Sequence, residues 1–87
     1  MPTVIAHHDV NDTAHWLASP KREEFFGKLG VTGIRTFVDP RNPTHVAVLM
    51  DIPDLDAAMA ALQTPDGAAA MEHDGVQPET LVVLIEA

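Results

Sequence analysis

Residues 34–52 read IRTFVDPRNPTHVAVLMDI, and this stretch decides the fold. Both of its ends are rich in β-branched and apolar residues, which favour strands, whereas Asp39 to Pro43 consists of residues typical of turns. We therefore predict a β-hairpin with strands at residues 34–38 and 44–52 and a five-residue loop between them. Apolar side chains occupy both alternating sets of positions in its second strand: Ala47 and Leu49 on one face, and Val46, Val48 and Met50 on the other.

A strand and a helical segment precede the hairpin. Residues 3–8 indicate the strand, and Asp12 is a typical N-cap for the helix that begins at Thr13. Ser19-Pro20 interrupts the helical pattern and supplies an N-cap and a first-turn proline for a second piece. We predict a helix that is broken at Pro20 and ends at Gly30, which takes the left-handed conformation.

A second helical segment and a last strand follow the hairpin. Asp54 is the expected N-cap of the first helical piece, and Thr64-Pro65 starts a shorter piece that runs through Met71. Residues 79–86 are predicted to form the final strand. The order of elements is then βαββαβ, within one domain that covers residues 1–87.

This order predicts an α+β, ferredoxin-like fold. With right-handed crossovers, the four strands form an antiparallel sheet in the order 4-1-3-2, and both helical segments cover the same face. The other face stays open, although the third and fourth strands are apolar on both faces. An open apolar sheet face normally marks an interface, so we expect a homodimer; the alternative is that the open apolar area is small.

Composition excludes several classes of partner. Five Lys and Arg against 13 Asp and Glu give a net charge of -8, which repels nucleic acids and anionic membranes. Every apolar run, Leu81 to Ile85 among them, is far shorter than the ~20 residues that cross a bilayer. The chain has no cysteine, and its first residues do not resemble a secretory signal, so we expect a cytoplasmic protein without disulfides.

Four sequence segments resemble a known superfamily. Residues 8–16 match the pattern H-x-V-x-D-x-x-x-W, residues 30–35 read GVTGIR, residues 39–43 read DPRNP, and residues 71–76 match M-x-x-x-G-V. In this order they resemble the small dimeric α/β-barrel proteins that include the antibiotic-biosynthesis monooxygenases. The resemblance implies a homodimer of ferredoxin-like protomers. It does not imply one reaction, because similar proteins include cofactor-free oxygenases, haem-degrading enzymes, isomerases and cyclases.

Histidines are the candidate catalytic groups. The predicted topology places all five, His7, His8, His15, His45 and His73, at one end of the sheet. Because His7 and His8 are adjacent on a strand, their side chains point to opposite faces, and only one of them can join a given site. We predict His8 or His45 as a catalytic base. Exposed histidines at the ends of loops, without a function, are the alternative.

Five further residues are candidates for binding a ligand. Asp12, His15 and His73 lie at the same predicted end of the sheet, close to Asp74. Trp16, the only tryptophan, is either a core residue or a platform for a ligand. Arg35 is either an exposed charge on an edge strand or an anchor for an anionic group. Since Asp9, Asp12 and Asp74 lie close in sequence to His8, His15 and His73, we expect raised pKa values for most of the histidines.

No metal and no cofactor is expected. The sequence lacks histidines spaced along one element as metal ligands, although separate elements could still assemble a site. In similar haem-degrading proteins the ligating histidine follows an alanine late in the second helical segment, where this chain has Ala70-Met71. His73 is turned by roughly 200° from that position around a helix. This departure counts against haem.

Two functions remain open. The first is a cofactor-free enzyme, similar to a monooxygenase or cyclase, that acts on a small apolar compound held against Trp16. The second is a homodimer that binds a small molecule or acts as an accessory protein without catalysis. A protein that binds haem or a metal is the less favoured third possibility.

Overall fold

The computed structural model describes residues 2–87. The predicted hairpin is present and forms one edge of the sheet. In it, β2 (Thr32–Asp39) pairs antiparallel with β3 (Asn42–Asp51), and the register shifts near Gly33, which has a positive φ of 66°. Both strands begin two residues earlier than predicted, and β2 ends one residue later, so only Pro40 and Arg41 connect them.

The other two strands confirm the predicted topology. β1 (Thr3–Asp9) pairs antiparallel with β3 on one side and with β4 (Val82–Ile85) on the other. The sheet therefore has the order β2-β3-β1-β4, which is the predicted 4-1-3-2 order read from the opposite edge. β4 is shorter than residues 79–86, because Pro78–Thr80 forms a 3-10 turn in which the Thr80 hydroxyl bonds to the backbone of Asp9 and Gln77.

The first helical segment is broken at the predicted place. α1 (Thr13–Ala18) is capped by Asp12, whose carboxylate accepts from the His15 N–H, and α2 (Lys21–Gly27) follows an extended Ser19. Pro20 precedes α2 instead of forming its first residue, and the Lys21 N–H donates to the Ser19 hydroxyl. Gly30 has the predicted left-handed conformation, with φ 76°.

The second segment also consists of two helices. α3 (Leu55–Leu62) and α4 (Pro65–His73) are capped by Asp54 and Thr64, as the sequence predicts. α4 runs two residues beyond Met71 and includes His73. The two helices approach closely at Gly67, where an added Cβ atom would lie 2.5 Å from the Ala61 carbonyl oxygen.

One face of the sheet carries the core. Val4, Val48 and Met50 of the strands pack with Trp16 of α1 and Ala58 of α3. The opposite face is open in the protomer: Phe37, Val82 and Leu84 are exposed to between 41% and 51%. Among residues 2–87 there is no helix long and apolar enough to cross a membrane.

Candidate functional site

A cavity lies between the helices and the covered face of the sheet. Its volume is about 90 Å³, and its walls are mostly apolar side chains, among them Met50, Phe25 and Met71. His8, Arg22 and Asp74 add polar groups to this lining. Sites for drug-sized ligands usually measure ~300–1,000 Å³, so the cavity accommodates only a small molecule.

His8 projects from β1 into the covered layer and is 5% exposed. Its ring packs edge to face against Trp16, with the ring centroids 5.8 Å apart. Its Nδ1 lies 3.4 Å from the Asp9 carbonyl oxygen. Burial lowers the pKa of His8, and the nearby His45 and Arg22 act in the same direction, whereas the Asp9 carbonyl and carboxylate oppose it. The raised pKa expected for His8 is therefore wrong, because burial outweighs the acidic neighbours.

Trp16 is a fully buried side chain that also lines the cavity, so its two alternatives, core residue and ligand platform, are compatible.

The Arg22 guanidinium stacks on the indole of Trp16, with Cζ 4.2 Å from the ring centroid. Its Nη1 and Nη2 lie 3.4 Å and 3.5 Å from the Trp16 carbonyl oxygen, whereas its buried Nε has no hydrogen-bond partner among the described residues. Burial lowers the pKa of Arg22, against the attraction of Asp74 and Glu23.

Arg22 is the site residue that sequence reasoning missed. The signal was present: Arg22 begins the apolar stripe of α2 that continues with Phe25, Phe26 and Leu29 at helical spacing. A charged residue in the first position of such a stripe projects toward the same layer as the apolar ones. The aliphatic part of the arginine side chain then lies among apolar groups, and its guanidinium forms polar contacts.

Asp74, at the cavity wall, meets His15 and His73, which lie outside the cavity. Asp74 accepts from the Ser19 hydroxyl, and its Oδ1 lies 3.0 Å from His73 Nδ1. The Nε2 atom of His15 lies 2.7 Å from the His73 carbonyl oxygen, and the two imidazole centroids are 5.2 Å apart. His15 and His73 are both exposed, whereas Asp74 is buried.

His7 and His45 lie on the open face of the sheet. The Nδ1 of His7 is 3.2 Å from the Nε2 of His45, whose Nδ1 is 2.7 Å from the Asp9 carboxylate. The strand places His7 and His8 on opposite faces, as predicted. The two candidate bases, His8 and His45, therefore lie on opposite sides of the sheet and do not share one site.

Arg35 and Asp12 stand apart from the cavity. Arg35 is exposed on the edge strand β2, with its Cζ 5.8 Å from the centroid of the Phe37 ring on the open face. Asp12 is exposed, and its carboxylate caps α1. Met71 lines the cavity, whereas His73 lies outside it.

Solved structures share this architecture. No family model and no curated protein matches the chain in sequence. A proposed antibiotic biosynthesis monooxygenase from Bordetella bronchiseptica is 19% identical with a TM-score of 0.76, over 99% of this chain and 94% of that one. A second one, from Bacteroides thetaiotaomicron, is 22% identical with a TM-score of 0.65, over 99% and 87%. A protein of the ethyl tert-butyl ether d family from Bacillus halodurans is 14% identical with a TM-score of 0.61, over 100% and 98%.

At these identities the matches show shared architecture over nearly the whole length of both chains. The chain therefore has the ferredoxin-like fold of proteins similar to the antibiotic biosynthesis monooxygenases.

Proposed function

We propose that this protein is a cofactor-free oxygenase that binds a small apolar compound in the cavity between its helices and its sheet. The observation that carries the proposal is His8, a buried imidazole with a lowered pKa in the lining of an apolar cavity. The names of the similar structures, antibiotic biosynthesis monooxygenases, give the proposed reaction class.

His8 is suited to act as a general base. A proton on Nδ1 would donate to the Asp9 carbonyl oxygen at 3.4 Å, which leaves the lone pair on Nε2. Because burial lowers its pKa, the ring is neutral at neutral pH and able to accept a proton. A positioned base of this kind contributes ~10²–10⁴-fold to a rate.

Arg22 is suited to stabilise the anion that this base would create. It stacks on the same indole that His8 contacts, and its buried Nε–H has no partner among the described residues. A fixed positive charge in an apolar site interacts strongly with developing negative charge. We therefore propose a substrate with an apolar ring and one acidic hydroxyl group.

The overall reaction would use dioxygen as the second substrate. His8 would remove the hydroxyl proton, and the electron-rich ring would react with dioxygen at a ring C–H carbon. Oxidation of a hydroxylated ring to a quinone places one oxygen atom in the new carbonyl group and releases the other as water. The ring loses two hydrogen atoms in total, so atoms and electrons balance without a reductant.

We propose a homodimer as the working assembly. Its support is the open sheet face: Leu84, Ile5 and Leu49 lie side by side on neighbouring strands, and Phe37 and Val82 are exposed in the next row. An apolar face of this kind is normally covered in a protein with so small a core.

Oxygen uptake with a panel of small hydroxylated monocyclic aromatics tests the proposed activity. His8→Gln should lower turnover by ~10²-fold or more, while quenching of Trp16 fluorescence still reports binding. His7→Gln is the matched control, because His7 is the adjacent residue and lies on the other face of the sheet. Equal turnover in the two variants would exclude His8 as the base.

A non-catalytic binding protein is the second candidate. It is favoured by the cavity lining, which contains no hydroxyl or thiol nucleophile among the described residues. Under this alternative, aromatic compounds would quench Trp16 fluorescence with saturation, and no compound of the panel would consume oxygen. Absence of quenching across the panel would count against both candidates.

A further inference from the structure

Three metal-ligating side chains meet beside the cavity. His15 comes from α1, His73 is the last residue of α4, and Asp74 follows it. One potential ligand atom from each of the three lies within 4.8 Å of the other two. Spacing along the sequence does not reveal this site, because His15 and His73 lie 58 residues apart and meet only where the first turn of α1 lies beside the end of α4.

Each imidazole can offer one nitrogen to an ion. The His15 Nε2, at 2.7 Å from the His73 carbonyl oxygen, must carry a proton to donate to it, so Nδ1 is unprotonated in the neutral ring. The His73 Nδ1 faces the Asp74 carboxylate at 3.0 Å, so an ion bound by these two atoms would take the place of the proton between them. Metal-bound histidines are usually oriented by a bond like that of His15, from the second nitrogen to a carbonyl oxygen.

Asp74 gives the cluster a fixed negative charge. It is 6% exposed, and the Ser19 hydroxyl donates to its carboxylate. The carboxylate also attracts the Arg22 guanidinium, in addition to its contact with the His73 imidazole. The net charge of -8 further attracts cations to the protein.

We propose that His15, His73 and Asp74 form a binding site for Zn²⁺. Two imidazoles and one carboxylate suit zinc, whereas Mg²⁺ and Ca²⁺ prefer oxygen ligands alone. Three protein ligands leave the fourth tetrahedral position for water. Because Asp74 also lines the cavity, the ion would lie at the cavity wall. The site does not depend on the proposed oxygenase activity.

Titration calorimetry with Zn²⁺ tests the site, with Mg²⁺ as the comparison cation. We expect one Zn²⁺ per protomer with a dissociation constant in the micromolar range or below, and no heat with Mg²⁺. His15→Ala and His73→Ala should each weaken the affinity by about tenfold or more. Both residues are exposed, so these variants should keep the fold, which circular dichroism checks. Asp74→Asn should also weaken binding, with the same check of the fold.

His7→Ala is the matched control, because His7 and His45 form the second histidine pair of the protein, on the open sheet face. It should leave the zinc affinity unchanged. Absorption of the Co²⁺-loaded protein in the visible region should show a tetrahedral site that disappears in His73→Ala. No binding at micromolar Zn²⁺, or binding that is lost in His7→Ala and kept in His15→Ala, would overturn the assignment.

Discussion

His45 and Asp9 lie directly opposite each other on β3 and β1, and His45 Nδ1 is 2.7 Å from Asp9 Oδ1. The second nitrogen of His45 is 3.2 Å from His7 Nδ1, so a carboxylate and two imidazoles form a chain across two strands. This chain occupies the open face of the sheet, beside Val82, which pairs with His7. It is separated from His8 and the cavity by the sheet itself.

Replacing Asp9 tests how much this chain contributes to stability. Asp9→Asn keeps the shape and one acceptor but removes the charge, so the free energy of unfolding should fall by about 1 kcal/mol. Glu86→Gln is the control: Glu86 is exposed, and removing its charge should change stability by less than about 0.5 kcal/mol. Urea unfolding at neutral pH measures both. An equal, small change in the two variants would show that the short Asp9–His45 contact adds nothing beyond net charge.

The open sheet face predicts a dimer that a single charge disrupts. Leu84→Lys places a cation on this face, and we expect a folded monomer. Leu17→Lys on α1 is the control, since Leu17 is 46% exposed and Leu84 is 51% exposed, but only Leu84 lies on the sheet. Val83 is not a suitable position for this substitution, because it packs against the core on the covered face of the sheet. Light scattering at micromolar concentration gives the mass; a monomeric wild-type protein would contradict the prediction.

The lowered pKa of His8 predicts the sign of a pH effect on stability. Above ~6.5 the imidazole is neutral in both the folded and the unfolded chain, so its burial carries no protonation penalty. As the pH falls below ~6.5 toward the lower folded pKa, the unfolded chain binds the proton first, and the free energy of unfolding decreases. Between pH 7.5 and pH 5.5, wild type should lose more stability than His8→Gln in urea unfolding.

A direct measurement of the His8 pKa tests whether burial lowers it. In an NMR titration the His8 imidazole should titrate below the ordinary value of ~6.5. His8→Gln identifies its signal by difference. If that signal titrated above ~6.5, pairing with the Asp9 carboxylate would outweigh burial, and His8 would be charged in part at neutral pH.

Periodicity and turn chemistry were sufficient to predict the fold of this chain. The alternation in residues 44–52 and the turn residues between Asp39 and Pro43 predicted the hairpin, and Ser19-Pro20 predicted the break between α1 and α2. The prediction was less accurate at the last strand: Thr80 and Leu81 are compatible with a strand, but Pro78 and the Thr80 hydroxyl form a turn there.

The site was predicted less well, because sequence position does not determine burial. Adjacent positions on a strand correctly separated His7 from His8, since side chains alternate between faces. The acidic neighbours of His8 suggested a raised pKa, but only the packing of Trp16 and Arg22 reveals that the ring is buried. Similarly, His15 and His73 come together only because the first turn of α1 lies beside the last residue of α4.

The close approach of α3 and α4 at Gly67 predicts opposite effects for two glycine substitutions. A Cβ atom at Gly67 would lie 2.5 Å from the Ala61 carbonyl oxygen and 2.8 Å from Leu62 Cα, so the helices must separate in Gly67→Ala. We expect a loss of ~1–3 kcal/mol in the free energy of unfolding, as for other forced insertions into packed sites.

Gly27→Ala is the matched substitution, because no atom lies within 4 Å of the added Cβ at the last residue of α2. Alanine restricts the unfolded chain and favours helix, so this variant should gain up to ~1 kcal/mol. Urea unfolding of the two variants beside wild type measures the difference. A gain of stability in both would mean that α3 and α4 separate at no cost, and that the cavity wall formed by Gly67 and Leu62 is loosely packed.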